Sequence, residues 1–337
     1  MASMAASYPD TYYRDTLHAD RLRQPLRGAA RADVCVIGGG LAGLNVALGL
    51  AERGKSVILL ESKRVGSAAS GRNGGFVAKG FARGYRDLVA KVGLDHARAL
   101  HNVAQNGRAL IKKRIGVYAI DCGPVIDGVM GVSWTDDPKA IQAHVDFMNR
   151  DFGVPLLYWP RDKVRHLCRT EQYFDGFYSP DDFQFHPLNF VHGLADGIEK
   201  HGGVIHENTR ALTITGDEGH YTVTADGGTV NADQIVLCCS IEIDGLDKRL
   251  KYASFPVHTF IMVTRPIPED KLDAAINTRY AVFDTRFAQD YYRRLPDNRI
   301  LWGGRVALSG NEKNLGDIML RDMMKIYPQL QKEAQPD

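Results

Sequence analysis

Apolar positions along the chain change period from two to nearly four and back, and the changes mark its elements. Val34, Val36 and Ile37 lie in a short apolar run, the pattern of a buried strand. Glycines follow at 38, 40 and 43, then a helical stretch with Ala47 one turn beyond Gly43. Gly54 closes that helix, Val57 to Leu60 form a second strand, and Glu61 ends it. Helices are predicted over Tyr85 to Val92 and Leu94 to Arg114, the latter with Ala97, Leu100, Val103 and Leu110 at helical spacing. Gly116 to Asp121 and Gly128 to Trp134 read as an antiparallel pair of strands. Asp136-Asp137-Pro138 starts a helix running to about Phe152, and another is expected over Asp162 to Leu167.

A helix over Asn189 to His201 and a strand over Val204 to Glu207 follow. Ala211 to Thr215, Tyr221 to Ala225 and Thr229 to Asn231 predict a three-strand meander, turning at Gly216–Gly219 and Asp226-Gly227-Gly228. Gln234 to Cys239 is expected as a separate, buried parallel strand. Val257 to Val263, Tyr280 to Asp284, Gln289 to Leu295 and Arg299 to Val306 read as further strands, with Pro296-Asp297-Asn298 turning the last hairpin. A final helix is expected near Ile318 to Lys325. This alternation predicts an α/β fold: a split, Rossmann-like nucleotide domain interrupted twice by a mostly antiparallel sheet domain.

The chain has 337 residues, 44% hydrophobic and 24% charged, enough for two cores. A net charge of +2 gives no field that would favour nucleic acid, and no apolar run is long enough to span a bilayer. The five cysteines form no CxxC pair, and the scattered histidines suggest no metal. Reduced thiols in a cytoplasmic protein are the expectation.

The run from Asp33 to Glu61 carries the chemistry. Gly38 permits a sharp turn, Gly40 lets a pyrophosphate approach the main chain, and Gly43 with Ala47 lets the helix sit close on the sheet. The helix start at Leu41 and Ala42 presents free amides and a positive dipole end to phosphate. Glu61 is placed to accept hydrogen bonds from a ribose diol. The fingerprint alone suits NAD or FAD equally. The next segment separates them. Ser62 and Lys63 lead into a Gly/Ser/Ala-rich stretch with Ser70, Gly71, Arg72, Asn73, Gly74 and Gly75, where an NAD-binding domain would usually start another helix. Such a chain can lie against a ligand and donate many amides.

These features resemble the FAD-dependent oxidoreductases of the D-amino-acid oxidase superfamily, and within it the bacterial γ-glutamylputrescine oxidoreductase branch. The arm Ser7–Tyr13, the stretch Gln184–Val191 with its His186-Pro187-Leu188, the run His201–Ile214, and the hairpin Ala281–Val306 carry the rest of the likeness. The resemblance implies an N-terminal arm at 1–30 and a split FAD-binding domain at 31–114 and 170–250. It also implies a substrate domain at 115–169 and 251–310, and a C-terminal helix and tail at 311–337. It implies FAD held non-covalently, with Gly38, Gly40, Leu41, Ala42, Gly43, Glu61, Ser62, Lys63, Ser70, Arg72, Asn73, Gly74 and Gly75 around it. Ala211 would pass the adenine.

The implied reaction is oxidation of an amine C–N bond by hydride transfer to flavin N5. The imine hydrolyses to an aldehyde, and oxygen or another acceptor is reduced. Tyr291, Tyr292 and Arg293 lie on a strand expected beside the substrate and are the candidate catalytic residues. Tyr292 shares a face with Asp290, and Tyr291 shares one with Arg293, which is the candidate to hold a substrate carboxylate. A carboxylate-binding arginine would favour glycine, sarcosine or a D-amino acid over an amine. His186 is expected to cap a helix. The family's last strand-rich stretch is not found after Tyr327, which predicts weak flavin binding or poor activity, or a non-catalytic remnant.

Overall fold

The computed structural model describes residues 7–78, 80–308 and 313–337. The chain divides into two compact units, residues 1–73, 113–122 and 186–256, and residues 74–112, 123–185 and 257–337.

The first unit is built on a six-stranded sheet. Its order is Val204–His206, Val57–Leu60, Gly28–Ile37, Gly228–Leu237, His220–Ala225 and Ala211–Asp217. The first four strands run parallel and the last two antiparallel. Val34 pairs with Val57 and Ile37 with Leu60, so these two strands end level, where Gly38 and Glu61 follow. Val34, Cys35, Val36, Ile37 and all of Val57–Leu60 are buried, as strands covered on both faces require. The helix Leu41–Ala51 buries Gly43, Leu44, Ala47, Leu48 and Ala51 on one face. The helix Pro187–Lys200 packs beside it, capped by His186, whose Nδ1 accepts the Asn189 amide at 3.0 Å.

The second unit holds an eight-stranded sheet. Its main path is His258–Val263, Ile300–Ala307, Tyr291–Arg294, Ala281–Asp284, Ile126–Val132, Gly176–Gln184 and Phe76–Val77, with Leu157–Trp159 paired to Gly176–Gln184. All pairings are antiparallel except Ala281–Asp284 with Ile126–Val132. One face buries an aromatic core of Trp159, Tyr173, Tyr292, Trp302 and Tyr327, covered by the helix Leu315–Ile326.

Several expectations need correction. Gly116 to Asp121 is not a strand. The helix Leu94–Val117 takes its first two residues, and the chain then turns at Ala119. Arg114 anchors that helix end, donating to the Asn45 carbonyl at 3.1 Å and to Glu52 at 3.2 Å. Thr229–Asn231 and Gln234–Cys239 are one strand, Gly228–Leu237, because Gly28–Ile37 offers it a parallel partner along its full length. Gly176–Gln184 is a central strand that the sequence reading left out, since Pro180, Asp181 and Asp182 resemble a loop. The unit boundaries differ too. Residues 74–112 and 170–185, expected with the nucleotide domain, group with the second sheet. Residues 115–122 and 251–256, expected in the substrate domain, group with the first unit, as do the described residues 7–30 of the arm, expected to stand apart. The tail 311–337, also expected apart, groups with the second unit.

Candidate functional site

In the first unit the glycine turn is closed by main-chain contacts. Gly38 has φ 111°, in the region that favours glycine, and its amide donates to the Leu60 carbonyl at 2.9 Å. A Cβ on Gly43 would stand 1.9 Å from the Gly38 carbonyl oxygen, so the helix meets the turn at a distance only glycine allows. A Cβ on Gly38 would stand 2.6 Å from the Cys238 carbonyl oxygen. Cys238, next after Leu237 at the end of the parallel strand, was not singled out from sequence. Its signal was the expected neighbouring parallel strand, whose carboxyl end must lie beside the fingerprint turn.

Glu61 faces inward. Its Oε2 accepts the Gly39 amide at 2.7 Å, and its Oε1 accepts the Lys63 amide at 2.8 Å and the Ser62 hydroxyl at 3.3 Å. Burial raises its pKa above the ordinary value of 4.5, opposed by the Lys63 and Gly39 amides. The carboxylate is therefore fixed in direction and poorly solvated, the condition in which further hydroxyl donors are most strongly bound.

Ser70 lies at the helix mouth, where its Oγ accepts the Leu41 amide at 2.9 Å. A Cβ on Gly40 would meet only that same oxygen, at 2.9 Å. Ala42 is exposed. Asn73 Nδ2 donates to the Ser70 carbonyl at 2.9 Å and to the Ala69 carbonyl at 3.2 Å, tying the loop to itself. Arg72 is exposed, and the exposed Lys63 Nζ is 3.6 Å from Glu242. Ala211 opens the edge strand opposite Ala225, and two residues earlier the Thr209 amide donates to the Glu61 carbonyl at 2.9 Å. A side-chain hydroxyl at the helix mouth, a bare glycine at the residue just before the helix and an inward carboxylate one strand away suit a diphosphate and its ribose, so the residues fit FAD.

The base beside Lys63 has another duty. Arg64 is buried, its Nε donating to Glu207 at 3.0 Å and its guanidinium also reaching Asp20. Glu207, fully buried, accepts the Val65 amide at 2.7 Å and the Arg23 amide at 2.8 Å as well. This network pins the N-terminal arm to the first unit.

In the second unit, Gly74 and Gly75 form the start of the strand Phe76–Val77. The Tyr291 ring lies where side chains on Gly74 and Gly303 would go, at 2.7 Å and 2.0 Å from their Cβ positions. It meets Phe76 edge-on at 5.5 Å and is half-buried. Tyr291 is thus held rigidly with part of its ring exposed.

Tyr292 does not join it. Its ring is fully buried and stacks on Trp302 at 4.5 Å, and its hydroxyl lies 2.5 Å from that of Tyr327. The period of two put Tyr291 and Tyr292 on opposite faces, and the Trp302–Tyr327 side took Tyr292 into the core, so it is no catalytic candidate. Arg293 is also corrected. Its buried guanidinium donates to Gln184 at 3.2 Å and to the Phe185 carbonyl at 3.1 Å, over the space a Gly75 side chain would need. That placement spends it on joining strand ends and not on a substrate carboxylate.

Among the described residues, no group of three or more His, Cys, Asp or Glu could hold a metal, and no helix is long and apolar enough to cross a membrane. All five cysteines are free.

A family model described as FAD dependent oxidoreductase matches residues 33–336. A probable oxidoreductase, OrdL, of Haemophilus influenzae is 32% identical over 333 residues, covering 95% of this chain and 75% of the relative. The γ-glutamylputrescine oxidoreductase of Escherichia coli is 29% identical over 326 residues, covering 96% of this chain and 76% of its own. Among solved structures, glycine oxidase from Geobacillus kaustophilus superposes with a TM-score of 0.70 at 21% identity, covering 91% of this chain and 81% of that one. That likeness shows the same mixed α/β fold. The chain belongs to the DAO family of FAD-dependent oxidoreductases, and its cofactor is FAD.

Proposed function

We propose that the protein oxidises the C–N bond of a small amine of the γ-glutamylputrescine type. Bound FAD supplies the hydride acceptor; the imine hydrolyses to an aldehyde, and oxygen is reduced to hydrogen peroxide. Gly38, Gly40, Gly43, the Ser70 hydroxyl and the Ala42 amide hold the diphosphate in this reading, with the Leu41 amide joining them once its hydrogen bond to Ser70 is exchanged for the ligand, and Glu61 orients the ribose. Ser62, Lys63, Arg72, Asn73, Gly74, Gly75 and Ala211 are assigned to the remaining cofactor contacts. Tyr291, with Phe76 behind it, presents a rigid aromatic surface against which an aliphatic amine chain can desolvate, favouring its neutral form.

The observation that carries the amine over an amino acid is the commitment of Arg293 to Gln184 and Phe185. A carboxylate on the reacting carbon, as in an amino-acid substrate, would need a bidentate cation beside Tyr291, and the strand's candidate is already occupied; the carboxylate of a γ-glutamyl group lies at the other end of the molecule. The resemblance to the Escherichia coli γ-glutamylputrescine enzyme supports the same choice. Glycine oxidase relatives, one 24% identical over 245 residues, favour an amino acid instead. The free cysteines support a reducing, cytoplasmic compartment.

The absorbance spectrum of the purified protein tests the reading. Anaerobic bleaching of the flavin bands by a γ-glutamylated diamine, with glycine and D-alanine inert, is the expected result. Bleaching by the amino acids alone overturns the amine assignment. A folded protein that takes up no FAD overturns catalysis altogether.

A further inference from the structure

A cleft of about 260 Å³ opens within the first unit, on residues other than the glycine turn. Its floor is one face of the helix Pro187–Lys200, with Asn189, Gly193, Gly197 and Lys200 on the lining. The turn Tyr118–Asp121 forms a wall, and His18 with Ala19 of the arm close one end. The two glycines draw that wall in. A Cβ on Gly193 would stand 2.4 Å from Ile120, and one on Gly197 would stand 3.3 Å from the Tyr118 ring. Ala119 adopts φ 48° to complete the turn, a conformation that costs a non-glycine residue about 1–3 kcal/mol.

The polar groups are unequally satisfied. Asn189 is 5% exposed, and its Oδ1 accepts the His18 amide at 3.1 Å. Its buried Nδ2 has no hydrogen-bond partner among the described residues. A buried donor left unpaired costs about 1–3 kcal/mol, which a ligand acceptor would recover. Beside it, Asp121 lies 3.1 Å from His18 Nδ1 with its carboxylate 80% exposed. Asp196, also on the lining, is held by Arg23 at 2.7 Å. At the far end of the lining stands the exposed Lys200.

This set joins a donor and an acid at one end to a cation at the other. A plain dianion would meet repulsion from Asp121, and a plain diamine would leave Asn189 and Lys200 unmatched. Asn189 and Lys200 are separated by roughly 16 Å of helix. The long, flexible Lys200 stem can take up much of that length and leaves room for a short molecule with two charged ends, such as glutamate.

We propose that this cleft binds a free amino acid with an acidic side chain. Asp121 takes its ammonium, Asn189 Nδ2 its α-carboxylate and Lys200 its side-chain carboxylate. Titration calorimetry of the full chain with L-glutamate tests the site, with succinate and 1,4-diaminobutane as comparators. Saturable glutamate binding is expected, weakened at least roughly tenfold by Lys200→Ala and by Asp121→Asn, since each removes one charge-assisted contact. Both are exposed positions, so folding is preserved, and flavin retention should match that of the parent protein. No saturable binding at millimolar glutamate overturns the proposal. Equal affinity in the Lys200→Ala variant does so as well, as does succinate binding as tightly as glutamate.

Discussion

Glu61 Oε2 accepts the Gly39 amide at 2.7 Å, so the acid that ends one strand is latched to the turn that follows its neighbour. The latch fixes the carboxylate before any ligand arrives. Its other oxygen already holds the Lys63 amide. Glu61→Gln keeps the shape but halves the acceptor capacity and removes the charge. Flavin affinity should fall roughly tenfold or more, the effect of losing one charge-assisted hydrogen bond. Fluorescence quenching of added FAD measures it, and an unchanged Kd would release Glu61 from its assigned role.

Gly40 and Gly43 are three residues apart and should behave differently. A Cβ at Gly43 meets main chain at 1.9 Å, which cannot give without moving the helix. Gly43→Ala should destabilise the protein by about 3 kcal/mol or more, by backbone strain and lost helix packing. A Cβ at Gly40 meets only the Ser70 hydroxyl, which can rotate away. Gly40→Ala should leave thermal stability within about 1 kcal/mol yet lower flavin retention, because the added methyl occupies the diphosphate approach. Melting temperatures of the flavin-free proteins, set against flavin content, separate the two effects.

The contrast also shows what was legible. The glycine turn was readable because its causes are local: Gly43 answers to the Gly38 carbonyl five residues back, and Gly38 to the parallel strand that any such turn must face. The alternation of Tyr291 and Tyr292 was readable for the same reason. Which of them enters the core was not, because Trp302 and Tyr327 decide it from distant parts of the chain. The strand Gly176–Gln184 was missed because its Pro180-Asp181-Asp182 run carries a loop's composition. Arg108, on the Leu94–Val117 helix, lies 3.5 Å from both aspartates and lets that run sit in a sheet.

The Tyr292–Tyr327 pair supports a double-mutant test. Their hydroxyls lie 2.5 Å apart, and both are fully buried. Tyr292→Phe leaves the Tyr327 hydroxyl without that partner and should cost about 1–3 kcal/mol. Adding Tyr327→Phe removes the orphan, so the double variant should be less destabilised than the sum of the singles. Urea unfolding of all four proteins reads the coupling. Turnover per folded molecule should not change in Tyr292→Phe, and a large loss of kcat would give Tyr292 a part in catalysis.

His192 should make the protein sensitive to acid. Its ring is buried, and its Nε2 lies 2.8 Å from the Tyr8 hydroxyl, which donates to the Val65 carbonyl. Burial lowers its pKa from 6.5 to about 4, helped by the charges of Arg23 and Arg64 and opposed by Asp20. The folded state therefore holds the imidazole neutral while the unfolded chain protonates it near 6.5. A depressed folded pKa gives stability that is complete above 6.5 and disappears as the pH falls toward 4. The full shift corresponds to a ceiling of about 3 kcal/mol. His192→Gln keeps a polar partner for Tyr8 without a titrating ring, so it should flatten this part of the profile. Urea midpoints between pH 7 and pH 4 in both proteins check it: parallel profiles would show that His192 does not govern the acid response.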